Sequence, residues 1–335
     1  MEKDFLLDIC INGLTEHLQE ICQTQKEFEE KIEGFFTGDF LIKQYKEMIK
    51  YIPEDIFESF ISKSSRIYIE EQKENVHYKK HLEDIWGSGF ELSNALYSMI
   101  LEELGSYSKR LENEHSDDLL ENKYKCKVLQ LLANRNLQTF ASILCLIENG
   151  FGDQAFMLFR NMFENSVFSR FIMDSNELTA KAFFEAQDND IEGKDDYAWV
   201  IHSGKFTKKE RISFKKIFDK CEFEKTYSEV WYRQYKLACK LLHTTPQGTT
   251  KTLCLHPTKG QIVSLVGQSP FGLNLAAEHS AMMLEETVRN YLFLFTDQRN
   301  QIFMLVVHKW VGKISDVYTR ISQGMEDEID INNNG

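Results

Sequence analysis

Proline is scarce: the chain has four in 335 residues, and three of them (Pro246, Pro257, Pro270) fall in one short segment. Elsewhere little forbids helix, because proline is the residue that removes a backbone donor and clashes with the turn before it. Long apolar runs are also missing. No uninterrupted stretch approaches the roughly 18 to 20 residues of a membrane-spanning helix, so no membrane partner is expected. Positive charge is in deficit, with 39 Lys and Arg against 52 Asp and Glu and a net charge of -13. That balance argues against a general DNA-binding surface, though not against a local basic groove. The seven cysteines form neither a CxxC pair nor a Cys/His cluster at zinc spacing. With no signal peptide at the start, a soluble protein of the reduced cytoplasm is expected. Walker, dinucleotide, Gly-x-Ser-x-Gly and HExxH motifs are all missing, so the sequence calls for neither a cofactor nor a metal.

What is present is aromatic and periodic. The apolar share is 42%, but 25 Phe and 13 Tyr raise the area that can be buried per side chain. Apolar residues recur at helical spacing through most of the chain, which predicts an all-α bundle. Residues 1–75 read as an N-terminal helical extension, with a stripe of Phe5, Leu6, Ile9, Leu14, Leu18 and Ile21, and with Gly38 and Pro53 as punctuation further along. Residues 76–322 read as the helical core domain, and 323–335 as a disordered acidic tail. Residues 112–123 are polar and acidic, hence an expected exposed loop. The lysine-rich stretch 205–225 spaces Phe206, Ile212, Phe214 and Phe218 in a roughly helical way. Between helices predicted over 227–243 and 273–295, residues 244–270 read as one long loop or a small β-hairpin. A last helix is predicted over 298–321.

The organising element is the helix predicted over Gly152–Met173, joined to a helix over 125–148 by the Asn149-Gly150-Phe151 turn as a central antiparallel hairpin. On a helical wheel Gln154, Asn161, Asn165, Ser169 and Ile172 make a mainly polar side. Arg160 and Glu164 fall instead among Phe156, Met157, Phe163, Val167, Phe168 and Phe171. A charged pair on an aromatic face must be paired and hydrogen-bonded to be tolerated there. It reads either as an i,i+4 ion pair that fixes packing or as part of a site.

A second constellation lies on the 227–243 helix. Tyr235, Cys239 and His243 recur every fourth residue and form one stripe, flanked by Tyr232 and Lys236. Arg160, Glu164 and His243 are the candidate catalytic groups, for anion binding, orientation and acid–base chemistry; Tyr235, Lys236 and Cys239 are candidate binding residues. Convergence of Arg160, Glu164, Tyr235 and His243 on one spot beside the 244–270 loop is the expectation.

Together these motifs, Ala155-x-x-Leu158-x-Arg160-x-x-x-Glu164 after a Gly-containing turn and Tyr235-x-x-x-Cys239-x-x-x-His243, resemble a bacterial helical family catalogued as a domain of unknown function. The family usually has Ser where this chain has Cys239, and the resemblance spans residues 80 to 300. Its architecture is similar to the HEPN helical proteins, many of which are metal-independent ribonucleases of toxin and phage-defence systems. The resemblance implies a non-catalytic sensor or toxin-partner module in a stress, toxin–antitoxin or phage-defence system, with a HEPN-like ribonuclease as the alternative. It leaves open a homodimer and an RNA or protein partner. The one literal Arg-x(4)-His match, Arg110 to His115, carries Glu112 and Glu114, whose charges oppose a phosphate.

Overall fold

The computed structural model describes residues 24, 26–27, 38–114, 116–186, 197–243, 267–295 and 297–334. It is all-α, and no strand occurs among the described residues. The chain divides into two compact units, Met1–His77 and Tyr78–Gly335. Most of the expected N-terminal helix and most of the 244–270 segment (its residues 244–266) lie outside the described residues.

Helix α1 (Gly38–Glu114) is continuous, where the sequence predicts separate runs. It passes through Pro53, a residue that removes one ladder hydrogen bond without obliging a helix of this length to end. The expected loop at 112–123 holds a short helix, α2 (Ser116–Glu121).

The centre of the second unit is the hairpin of α3 (Lys123–Ile147) and α4 (Gly152–Met173). The turn between them is chemically specified. Phe151 N–H donates to Leu146 O at 2.9 Å and Gly150 N–H to Ile147 O at 3.0 Å, the paired bonds of a helix end closed by a left-handed residue. Gly150 supplies that residue, with φ of +78°. A Cβ there would stand 2.9 Å from a Tyr78 ring carbon and 3.0 Å from Ser269 O. Glycine is therefore needed for space as well as for φ. Ser269 N–H donates to Gly150 O at 2.9 Å, and Trp86 Nε1 donates to Pro270 O at 3.0 Å, so the end of the 244–270 segment is fastened to the hairpin turn.

Helices α5 (Glu177–Glu185), α6 (Phe214–Phe218), α7 (Lys225–Leu242), α8 (Leu273–Leu292) and α9 (Gln298–Asn334) complete the fold. Stretch 205–225 is not one helix. Phe206 and Ile212 are buried from irregular backbone, between a 3-10 turn at Ala198–Ser203 and α6. Helix α9 runs on to Asn334, through the segment expected to be disordered.

Helix α4 packs against α3, α8, α7 and α6, which explains why its polar side is not a solvent side. Ser169 and Ile172 are fully buried, and only Gln154 and Asn161 of that side are exposed. The buried hydroxyls and amides form a ladder between α3, α4 and α8. Asn136 Nδ2 donates to Thr287 Oγ1 at 2.7 Å, to Met162 O at 3.1 Å and to Ser166 Oγ at 3.3 Å. Asn165 Nδ2 donates to Asn136 Oδ1 at 2.9 Å. One turn on, Asn290 Nδ2 donates to Ser169 Oγ at 2.8 Å. Buried polar groups are tolerated when paired in this way.

Candidate functional site

The site is built where α4 meets α7. Phe163 is buried on α4, and its ring lies 5.0 Å from Tyr235, 5.6 Å from Phe218 and 5.8 Å from Phe214. These contacts set α7 so that Tyr235 reaches the residue after Phe163 on α4, Glu164. The Tyr235 hydroxyl donates to Glu164 Oε1 at 2.8 Å. Arg160 Nε donates to the same oxygen at 3.0 Å. Arg160 and Glu164 are 26% and 25% exposed, so the pair occupies the rim of the α4–α7 seam. The aromatic face expected to enclose it does so on one side only, because α7 covers α4 without closing over the guanidinium.

The electrostatics follow from this placement. Burial works against the Arg160 charge, yet Glu164 beside it, with Cys239 and Tyr235 further off, holds its pKa above the usual arginine value. Burial and the neighbouring Glu164 carboxylate both push the Tyr235 phenol up, and it stays protonated as a donor. The Cys239 thiol is raised by burial, and the opposing pull of Tyr235 and Arg160 does not reverse this. A raised thiol is a poor nucleophile. The two Nη nitrogens of Arg160 make no hydrogen bond to the described residues.

Of the candidates drawn from sequence, Arg160, Glu164, Tyr235 and Cys239 are neighbours. His243 is not one of them. It caps the C-terminus of α7, is exposed, and makes no side-chain hydrogen bond to the described residues. Eight residues of helix separate it from Tyr235, a rise of about 12 Å. Tyr235 faces Glu164 while Cys239 interacts with Arg160, so α7 runs antiparallel to α4 and His243 lies a turn beyond the guanidinium. Lys236 is exposed, with Nζ 5.3 Å from the Tyr232 ring centre. Arg110 is committed elsewhere: its Nη2 donates to Glu103 at 2.7 Å and to Asn300 at 3.0 Å, and His115 lies outside the described residues.

The structure adds a histidine that sequence reasoning passed over. His279 on α8 is buried between the Phe156 and Phe159 rings, 6.3 and 5.6 Å away, and its Nδ1 has no hydrogen-bond partner among the described residues. Burial pushes its pKa down to about 4. Nothing in the local sequence signals this, since the two rings come from α4. Among the described residues no group of three His, Cys, Asp or Glu side chains could hold a metal ion, and no helix is long and apolar enough to cross a membrane. An open groove of about 610 Å³ lies apart from the rim, at the α1 face of Lys79, Glu83 and Asn94 beside Glu148. There Asn94 already donates to Glu148 Oε1 at 2.6 Å.

Residues 127–197 match a family of unknown function, DUF5677. The matched stretch runs from α3 through the hairpin to Tyr197, so it includes Asn136, Arg160 and Glu164 and stops short of α7. No curated protein and no solved structure matches the chain.

The rim position changes the expected energetics of the ion pair. Fully buried, Arg160→Ala would leave an unpaired carboxylate at a cost of about 3–5 kcal/mol. At a quarter exposure Glu164 keeps the Tyr235 hydroxyl and reaches water, so the loss is expected to be about 1–2 kcal/mol. A double-mutant cycle with Tyr235→Phe, read by urea denaturation, should give a coupling energy of about 0.5 kcal/mol or more through the shared carboxylate. Strict additivity would show that Glu164 does not link the two.

Proposed function

We propose that the chain is a non-catalytic helical module of the sensor or toxin-partner kind, acting in a stress, toxin–antitoxin or phage-defence system. The observation that carries the non-catalytic part is the state of Glu164: its Oε1 already accepts from both Arg160 and Tyr235, which ties the carboxylate into a structural pair. Among the described residues no imidazole joins this cluster, and its thiol is held protonated. A general acid or base must reach the proton it moves, and a carboxylate that already anchors a guanidinium and a phenol favours an orienting role over proton transfer. The type of system comes from the resemblance carried by the Arg160–Glu164 and Tyr235–His243 motifs.

The second reading, a HEPN-like metal-independent ribonuclease, has one observation in its favour. The Nη edge of Arg160 is charged and makes no hydrogen bond to the described residues, as a phosphate-binding group would. Incubation of purified protein with total RNA in EDTA separates the two readings. The expected result is no cleavage above that of buffer. Cleavage abolished by Arg160→Ala, with the fold intact by circular dichroism, would establish the ribonuclease instead.

A further inference from the structure

The charge of this chain is distributed unevenly. Residues 205–243 hold eleven Lys or Arg and five Asp or Glu, a net of +6, which leaves -19 for the rest. Five of these cations, Lys215, Lys216, Arg233, Lys236 and Lys240, lie exposed on α6 and α7. Arg233, Lys236 and Lys240 are all exposed, and their spacing of three and four residues places them within about 60° on the helix. Tyr232 borders this strip, about 40° beyond Lys236 on the helix, half-buried and with its ring stacked on Phe218 at 5.1 Å. Two ammonium groups hold that ring, Lys215 Nζ at 4.8 Å and Lys236 Nζ at 5.3 Å from its centre. Next to Tyr232 inward come Tyr235, stacked at 5.8 Å, and then Arg160, whose Nη edge makes no hydrogen bond to the described residues. The negative groups here are Glu164, paired with Arg160, Asp219, paired with Lys215, and Glu229, one turn before Arg233.

Cations interleaved with aromatic faces are the pattern that holds a single-stranded polyanion: phosphates go to the cations and a base stacks on a ring. We propose that the α6–α7 surface binds single-stranded nucleic acid. Lys236, Lys240, Arg233 and the Nη edge of Arg160 take its phosphates. A base displaces a lysine from the Tyr232 ring, and the freed ammonium moves to a phosphate. An acidic protein would use the same cations but gain nothing from the ring. A duplex keeps its base faces stacked inside. The inference rests on the proposed reading in one respect, that the strand is held and not cut.

The test is fluorescence anisotropy in EDTA with labelled 20-nucleotide oligouridylate and oligothymidylate, the matching duplex, and polyglutamate as competitor. The single strands are expected to bind. With three to four phosphate contacts, affinity should fall roughly 20- to 50-fold between 50 and 200 mM salt. Lys236→Glu with Lys240→Glu should weaken binding at least tenfold without moving the melting curve, since both side chains are exposed. Lys309→Glu with Lys313→Glu on α9 should change little. Tyr232→Leu should weaken single strands further, and if it unfolds the protein the lysine pair still decides. The two oligonucleotides separate RNA from DNA as the natural source of the phosphodiester strand. No binding at 50 mM salt, indifference to the Lys236/Lys240 reversal, equal affinity for duplex, or full competition by polyglutamate would each overturn the proposal. A gel of the recovered RNA keeps the two readings apart: cut RNA removes the non-catalytic reading, whereas intact unbound RNA removes this surface.

Discussion

Asn136→Ala is expected to lower stability by about 3–5 kcal/mol, measured as a shift in the urea midpoint with an unchanged slope. The side chain is fully buried and gives hydrogen bonds to α4 and α8 at once, through Met162 O, Ser166 Oγ and Thr287 Oγ1. Removing it leaves the Asn165 amide without its Asn136 acceptor and takes one donor from the Thr287 hydroxyl. Each buried group left unsatisfied costs about 1–3 kcal/mol, and the vacated volume adds a cavity term. Ser166 and Thr287 still bond each other at 2.8 Å, which keeps the loss from being larger. Asn136→Ala combined with Thr287→Val should cost less than the sum of the two changes, because an apolar pair no longer strands a donor. An Asn136→Ala protein as stable as the parent would mean that the ladder is not closed in solution.

The second large effect is a pH dependence. His279 has a folded pKa of about 4 against an ordinary 6.5. Above pH 6.5 it is neutral whether the chain is folded or not, and its contribution is fully present. As pH falls from 6.5 to about 4, the unfolded chain takes up a proton that the folded one refuses, so stability declines. The size is roughly 3 kcal/mol across that window, from about 1.4 kcal/mol per pH unit of displacement. Glu278 and Glu286 act in the opposite sense. Burial raises both, more than their hydrogen bonds and neighbouring charges lower them, so their contribution is lost as pH rises through the carboxylate range. The observable is therefore the difference between parent and His279→Leu, a substitution that suits a site walled by Phe156 and Phe159. The parent should lose ground to the variant steadily between pH 6.5 and 4. Parallel stability–pH curves would show that His279 is not buried neutral.

Much of the fold was legible along the chain because its determinants are local. The periodic apolar spacing of α3, α4, α7, α8 and α9 needs only helical geometry to be read. The hairpin turn is written in Gly150, whose positive φ is a property of one residue, and in Asp153 at the start of α4. The pairing of Arg160 with Glu164 is likewise a matter of spacing on one helix. The reading failed where a residue's surroundings come from other elements. Wheel geometry assigned Ser169 and Ile172 to a polar side, but α8 covers that side and pairs Ser169 with Asn290.

The order of residues along the chain was enough for the helical class, the central hairpin and the side chains able to carry charge or hydrogen bonds at its edge. It took the packing of one helix on another to put the Arg160–Glu164 pair at a rim, to bring Tyr235 to it, and to leave His243 out in solvent past it. The same packing encloses His279 and Asn136. The reason is physical: periodicity states which direction a side chain leaves its own helix, whereas burial, partner and pKa depend on which helix packs opposite, and that is fixed by contacts between residues far apart in the chain, 71 positions for Tyr235 and Glu164 and 151 for Asn136 and Thr287.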